Sequence, residues 1–560
     1  MPAGLNQRTR LPEFRGAGSS FVFAGSFPVS SGEAGSVPGF FRECCRKRKE
    51  RSMLGKATGA ALSGIEGLPV NVEADCGEGL PVFEMVGYLG SEVREAGTRV
   101  RTALRNSGFY IPPARITVSL SPADLRKQGN YFDIPIAVAV LCAAGYLKQG
   151  AADGFLLIGE LALDGKLRPV NGVLPLVSCA LDRNIRRAIV PKANEAEGAS
   201  DPRVKVCGAS DLAQVAAFLR NPESIPWASP SAHPAEVSAE PDFSDVRGQP
   251  FLRRAAEVAA AGMHNILFVG PPGSGKTMIA RRLPSILPPE TPEEQIEVTR
   301  IFSVAGLLPE GSGLMTGRPF RAPHHTVTAA AMTGGGTNPR PGEVSLANRG
   351  VLFLDELPEF RRETLEVLRQ PMEDGFVTIS RVHGSFRFPA RFMLAAAMNP
   401  CPCGYFPDRK RCRCSIEEVR RYQGRLSRPL LDRIDISARA SEVQYEEIAG
   451  GQDGECSAAI RARVEKAFEI QKRRYEGTGI LFNSQLAGDA LRRACALGTR
   501  EEKLMRSLFQ AHRYSARAYS RILRVARTIA DLDGKEKIGE RHLAEAAGYR
   551  VLDGGKGDLL

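Results

Sequence analysis

The segment Gly270-Pro-Pro-Gly-Ser-Gly-Lys276-Thr277 constrains this chain more than any other, because it follows the apolar run Asn265-Ile-Leu-Phe-Val269. A buried strand feeding a glycine-rich turn and then a helix lets backbone N–H groups converge on phosphate. Gly270, Pro271, Pro272, Gly273, Ser274 and Gly275 are the candidate cradle. Lys276 is placed to reach β and γ oxygens, and the Thr277 hydroxyl to bind Mg²⁺. The helix beginning near Lys276 adds its positive N-terminal end. The loop implies ATP or GTP binding.

Two further apolar runs end in polar groups suited to phosphoryl chemistry. Val351-Leu-Phe-Leu354 closes on Asp355 and Glu356. Asp355 would hold Mg²⁺, through water, and Glu356 would polarise the attacking water. Such an acidic pair also suits a solvated loop; the phosphate-binding loop upstream favours the catalytic reading. Phe392-Met-Leu-Ala-Ala-Ala-Met398 ends at Asn399, a neutral amide able to position water beside a γ-phosphate. Leu430-Leu-Asp-Arg433-Ile-Asp435 and Ser515-Ala-Arg517 then supply Arg433 and Arg517, candidates to stabilise charge on the transferring group.

With these motifs in place the chain resembles the AAA+ ATPases, within them the magnesium-chelatase-like group, and most closely the bacterial YifB/ComM family. The resemblance rests on Arg321-Ala-Pro-His-His-Thr326, Arg340-Pro-Gly-Glu-Val-Ser-Leu-Ala347, Leu354-Asp-Glu-Leu-Pro-Glu-Phe360 and Asn399-Pro-Cys-Pro-Cys-Gly404. It covers nearly everything from Met53 onward. Ser427-Arg428-Pro429 departs from the usual Ser-Gly-Pro, and Asn348 stands where His is common. The resemblance implies a ring, expected to be a homo-hexamer, with ATP at subunit interfaces. Arg433 would then act in trans as an arginine finger and Arg517 in cis as the sensor of the lid. It further implies a motor on single-stranded, duplex or branched DNA, with recombination or competence proteins as further partners. The alternative is an ATPase that remodels a protein partner, as the chelatase subunit does.

The implied fold is α/β, in consecutive parts. Residues 53–220 resemble the α/β domain of Lon-type proteases (ribosomal S5 domain 2-like), most clearly at Gly159-Glu-Leu-Ala-Leu-Asp-Gly-Lys-Leu-Arg-Pro169. Where that family places its nucleophilic serine this chain reads Gly129-Asn-Tyr-Phe-Asp133, and where the lysine belongs, Gly172-Val-Leu-Pro-Leu-Val177. A Ser–Lys peptidase needs both groups, so a domain that assembles rings or binds DNA, and cuts nothing, is expected. Within it, Val70–Ala74 and Ile116–Leu120 read as strands, and Glu92–Asn106 and Ile134–Gly145 as helices. Residues 221–242, rich in Pro, Ser, Ala and Glu and carrying Trp227, read as a semi-extended linker. An AAA+ core with a parallel sheet spans 243–440, and a helical lid 441–560. In the lid, Ile522, Val525 and Ile529 mark a packed helix face, and Arg521, Arg524 and Arg527 a solvated one.

Residues 1–52 are rich in Gly, Ser, Phe and Arg and end in Cys44-Cys45-Arg-Lys-Arg-Lys-Glu-Arg51. They read as a solvated tail, or as an extension ahead of a true start at Met53. The net charge of +12 favours acidic partners such as nucleic acid. No run of about 20 apolar residues marks a membrane span. Twelve cysteines in 560 residues are no secreted disulfide framework, and an ATP enzyme belongs in the reducing cytoplasm.

Cys401-Pro-Cys403 and Cys412-Arg-Cys414 form two C-x-C pairs. Two such knuckles on one hairpin can present four thiolates to Zn²⁺; free thiols or a redox pair remain open. Arg409, Lys410, Arg411 and Arg413 would offset the charge of a zinc tetrathiolate. His324-His325, being adjacent, fit a structured loop or a substrate contact better than a metal. Finally, Phe376–Ser380 and Phe386–Pro389 flank a glycine-containing tip and read as a hairpin. In AAA+ relatives a hairpin at this place projects into the central channel. Arg381, His383 and Arg387 would there follow a phosphate backbone, or the hairpin would grip protein.

Overall fold

The computed structural model describes residues 54–111, 113–229, 241–336, 339–381, 384–441, 454–512 and 514–550. The expectations for residues 1–52, for 230–240 of the linker and for His383 lie outside them.

The N-terminal part is a seven-stranded mixed sheet in the order Phe83–Val86, Arg115–Ser121, Glu66–Gly77, Gly55–Ser63, Phe155–Leu157, Arg187–Pro191, Lys205–Ala209. The helix Asp133–Ala143 is apolar and buried on every side, as expected of one enclosed within a domain. Small residues allow its close approach to the sheet: a Cβ at Gly55 would stand 1.9 Å from the Ala139 carbonyl oxygen. The helix Ser91–Asn106 buries Val93, Val100 and Leu104 on one face, as its periodicity predicts.

The linker departs from expectation at its start. Trp227 is half-buried against Phe218, with ring centroids 5.3 Å apart and edge to face, and Ala228 N–H bonds the Val206 carbonyl at 2.8 Å. Composition suggested a segment without a core of its own; the segment instead borrows the core of the preceding domain. At its far end the Asp242 carboxylate accepts from the Ser244 and Ser457 backbone N–H groups, tying it to the lid.

The second sheet is parallel throughout, in the order Phe320–Arg321, Val351–Leu354, Met393–Met398, Ile266–Val269, Ile436–Arg439. Its central strands are continuous apolar runs because both faces are covered. Alternate residues enter different cores. Ile266, Phe268, Val351, Phe353, Met393 and Ala395 share one with the lid helices, including Ile460, Val464, Ile522 and Ile529. Leu267, Val269, Leu352, Leu354 and Leu394 share the other with Phe388 and Ile379 of the hairpin. Ile65, at the turn between strands Gly55–Ser63 and Glu66–Gly77, packs on this second core and on Val298, Ile301 and Phe302 of helix Pro292–Ala305. Together with the Ser303–Glu197 hydrogen bond, it joins the N-terminal domain to the core of the parallel sheet.

The lid corrects the reading of its arginines. In helix Ala516–Leu532, Arg521 is 1% exposed and Arg527 2%. Arg521 donates to the Leu431 and Ile434 carbonyls and pairs with Asp432; Arg527 donates to the Lys535 and Glu536 carbonyls; Arg524 pairs with Asp435. The helix is packed between helix Pro250–Gly262 and the other lid helices, and these arginines meet carbonyl-rich loop ends rather than water.

Candidate functional site

The loop 270–275 leaves the strand Ile266–Val269 and enters helix Lys276–Ile286. Gly273 and Gly275 hold φ of +75° and +83°, and a Cβ on either would meet nothing within 4 Å. The loop therefore presents bare backbone to open space, as a phosphate cradle requires. The Lys276 ammonium folds over it, donating to the Gly270 and Pro271 carbonyls at 2.8 and 2.7 Å and to Asn399 Oδ1 at 3.3 Å. Burial pushes this ammonium down to about 8, against the pull of Asp355.

Parallel pairing delivers the remaining groups to the same sheet edge. Asp355 follows Val351–Leu354, and its Oδ2 accepts from the Thr277 hydroxyl at 2.8 Å. A hydroxyl and a carboxylate in contact are the hard oxygen donors Mg²⁺ prefers, so the residues fit that ion. Asp355 Oδ1 accepts the Glu356 backbone N–H at 2.9 Å, and Glu356 takes the left-handed conformation at φ 52° with its side chain 60% exposed. Asn399 directly follows Met393–Met398, whose neighbours are the loop strand and the Asp355 strand.

His325, expected in a structured loop or at a substrate contact, has its Nδ1 3.7 Å from Glu356 Oε2. The signal lay in topology rather than spacing. Phe320 pairs with Val351 and Arg321 with Leu352 in parallel, so the residues after both strands emerge at one edge.

The two candidate arginines are each held by a carboxylate. Arg433 bonds Pro429 O and Glu373, with its side chain 14% exposed. Arg517 is 70% exposed and reaches Asp432 Oδ2 at 3.3 Å; Arg521 reaches the other oxygen of that carboxylate at 3.1 Å. Asp432 thus gathers two lid arginines beside Arg433. Behind it, buried Asp435 accepts from His264, whose other ring nitrogen meets Thr528 at 2.8 Å. Desolvation would raise the Asp435 carboxyl, but Arg524, His264 and Arg521 hold it down to about 2.

The hairpin forms from Phe376–Arg381 and Gly384–Pro389 in register Thr378↔Arg387 and Arg381↔Gly384. Arg387 therefore shares a face with Thr378, Ser380 and Ser385, all exposed, and stacks 3.5 Å from the Phe376 ring centroid. Arg381 belongs to the opposite face, with Val377 and Ile379, and donates to the Gly336 carbonyl. Arg381, Ser385 and Phe386 line a cleft of about 490 Å³ shared with Gly129, Asn130 and Tyr131 of the N-terminal domain.

The four cysteines after Asn399 converge. Their sulfurs lie within 4.8 Å of one another, with Cys401–Cys403 at 3.4 Å, Cys401–Cys412 at 3.8 Å and Cys403–Cys412 at 3.6 Å.

Models of the magnesium chelatase subunit ChlI match residues 242–448 and 72–194, and a model of its C-terminal region matches 454–550. The competence protein ComM of Haemophilus influenzae is 42% identical over 501 residues, covering 88% of this chain and 96% of that protein. The uncharacterized protein YifB of Salmonella typhimurium is 41% identical over 499 residues, covering 89% of this chain and 96% of its own. An archaeal Lon protease from Pyrococcus abyssi is 30% identical over 156 residues, 26% of this chain and 15% of that protein, a likeness confined to a part. No helix among the described residues is long and apolar enough to cross a membrane. With identity of this extent joined to the parallel sheet, loop and lid, the chain belongs to the YifB/ComM family of magnesium-chelatase-like AAA+ proteins.

Proposed function

We propose that this chain is an ATP-hydrolysing motor that works as a ring, a homo-hexamer, on DNA, driving branch migration in recombination or in the uptake of foreign DNA. The observation that carries the hydrolytic part is the meeting of Lys276, Thr277, Asp355 and Asn399 through direct hydrogen bonds at one sheet edge. Lys276 exchanges its loop carbonyls for phosphate oxygens. Thr277 and Asp355 hold Mg²⁺, which neutralises phosphate charge when bound. Glu356 takes the proton of the attacking water, and Asn399 orients that water. Arg433 leaves Glu373 to serve the nucleotide of the adjacent subunit, while Arg517 closes from its own lid.

The DNA part is supported by the net charge of +12, by the exposed polar face around Arg387, and by the name of the competence relative. Contacts of Arg381, His383 and Arg387 with phosphates would be independent of sequence and steeply salt-dependent. The test is the ATPase rate with no DNA and with single-stranded, duplex and branched DNA. Stimulation, greatest on branched DNA, is the expected result. A rate indifferent to every DNA overturns the DNA motor and favours a remodeller of a protein partner.

A further inference from the structure

The segment between Asn399 and helix Ile416–Gln423 contains no regular helix or strand. Its buried residues are Pro400, Cys401, Gly404 and Cys412; the two cysteines pack with Val419 and are flanked by Cys403, Tyr405, Phe406 and Cys414. So few apolar side chains cannot outweigh the conformational entropy of ordering such a loop. The arrangement of the sulfurs points to what does. A tetrahedral zinc tetrathiolate with Zn–S of about 2.3 Å has S···S edges of about 3.8 Å. The spacings of 3.4, 3.6 and 3.8 Å among Cys401, Cys403 and Cys412 approach that edge.

The surroundings suit a doubly negative centre. The Phe406 backbone N–H points at Cys401 Sγ at 3.4 Å. Arg409 lies over the Phe406 ring and donates to the Cys414 carbonyl at 2.9 Å, and Arg411 lies over the Tyr405 ring. Both guanidiniums are thereby held on residues of the knuckle itself. An all-sulfur tetrahedral site selects zinc over the hard cations.

The knuckle is also built into the nucleotide site. It begins directly after Asn399 and ends at Ser415, which caps the next helix in a reciprocal pair with Glu418. Gln423 of that helix returns to the Pro400 carbonyl at 2.9 Å. Gly404, at the turn between the cysteine pairs, lies flush against the phosphate loop: a Cβ there would stand 2.4 Å from Pro272 Cδ. Its φ of +88° further restricts the position to glycine.

We propose that Cys401, Cys403, Cys412 and Cys414 bind one Zn²⁺, and that the zinc knuckle, through Gly404 against Pro272, braces the phosphate loop in its binding shape. Binding converts four thiols to thiolates and releases four protons as Zn²⁺ enters. The second half of the proposal rests on the reading of loop 270–277 as a nucleotide site; the first half does not.

The experiment takes the full chain purified without chelator. Elemental analysis is expected to find one zinc per chain, and replacement by Co²⁺ to give the charge-transfer absorption of a tetrathiolate. Absence of both, or iron in place of zinc, overturns the metal site. Gly404→Ala is expected to keep its zinc yet weaken ATP binding roughly tenfold or more, since small misplacements of a binding group are costly. Cys412→Ser with Cys414→Ser is expected to lose zinc and ATP affinity together. Wild-type protein stripped by chelator is expected to lose affinity and recover it when Zn²⁺ is returned, a comparison that does not depend on how the variants fold. Zinc removal or Gly404→Ala with unchanged ATP affinity overturns the brace. Zinc-loaded wild type that binds no ATP overturns the nucleotide reading and the brace, while the metal site stands.

Discussion

Replacing Arg521 by Met removes a buried guanidinium while keeping much of its hydrocarbon volume. Three charge-assisted hydrogen bonds to carbonyls are lost, to Leu431 O at 3.2 Å, Ile434 O at 3.1 Å and Arg517 O at 3.3 Å, together with the 3.1 Å pairing to Asp432. Bonds to a charged group contribute about 1.5–3 kcal/mol each. The lower end applies, because Ile434 O keeps the Arg550 guanidinium and Leu431 O keeps the Ile434 N–H. Asp432 is 32% exposed and retains Arg517, so its share is below about 1 kcal/mol. Relief of guanidinium desolvation offsets part of the sum, leaving a loss of about 3 kcal/mol. For a unit of roughly 300 residues, at about 2.1 cal/mol/K each, that lowers the midpoint of the core-and-lid transition by about 5 °C. Calorimetry of the full chain measures it, and the single tryptophan, packed on Phe218, separately reports the N-terminal domain, whose transition is expected to stay in place. Arg506→Met, on an exposed lid position, is the control and is expected to move nothing. An Arg521→Met midpoint within about 2 °C of that control would refute the reasoning.

Glu356→Gln is expected to bind ATP normally and turn it over at least about a hundredfold more slowly, as loss of a general base implies; near-normal steady-state turnover would remove Glu356 from that role. Arg433→Ala is expected to bind nucleotide but not hydrolyse it, and mixing it with inactive Lys276→Ala subunits to restore some activity; mixtures as dead as their components would place Arg433 in cis. Asp435, held down to about 2 from an ordinary value of 3.8, contributes on the order of 2 kcal/mol of stability above pH 4. Its folded-state value is depressed, so this stability is lost as pH falls from about 4 through 2. The difference in denaturant midpoint between wild type and Asp435→Asn is expected to be constant from pH 7 to about 5 and to shrink below pH 4; a pH-independent difference would contradict the assignment.

Much of the site was legible because strand-end chemistry is local. An apolar run followed by Gly270–Thr277, Asp355–Glu356 or Asn399 declares its own edge of the sheet. What escaped depends on which elements meet. Arg521 and Arg527 look like any solvated helical face until carbonyls from loops elsewhere in the chain surround them. His325 gains meaning only through the register of Phe320 with Val351. Arg381 and Arg387 read as one basic group in the sequence, yet the pleat separates them, because pairing Thr378 with Arg387 commits odd and even positions of the first strand to opposite faces. Trp227 read as linker because composition does not reveal that Phe218 waits to receive it.

The left-handed backbone at Glu356 has a thermodynamic consequence. A non-glycine residue in that region costs about 1–2 kcal/mol, and glycine there would relieve it while deleting the carboxylate. Stability and turnover are therefore set against each other at a single residue. Glu356→Gly is expected to melt higher than wild type and to be inert, so a screen for thermostability alone would enrich chains that have lost their general base. The Asp355 carboxylate, accepting the Glu356 N–H, and the Glu359 N–H, donating to the Glu356 carbonyl, hold the strained conformer from both sides.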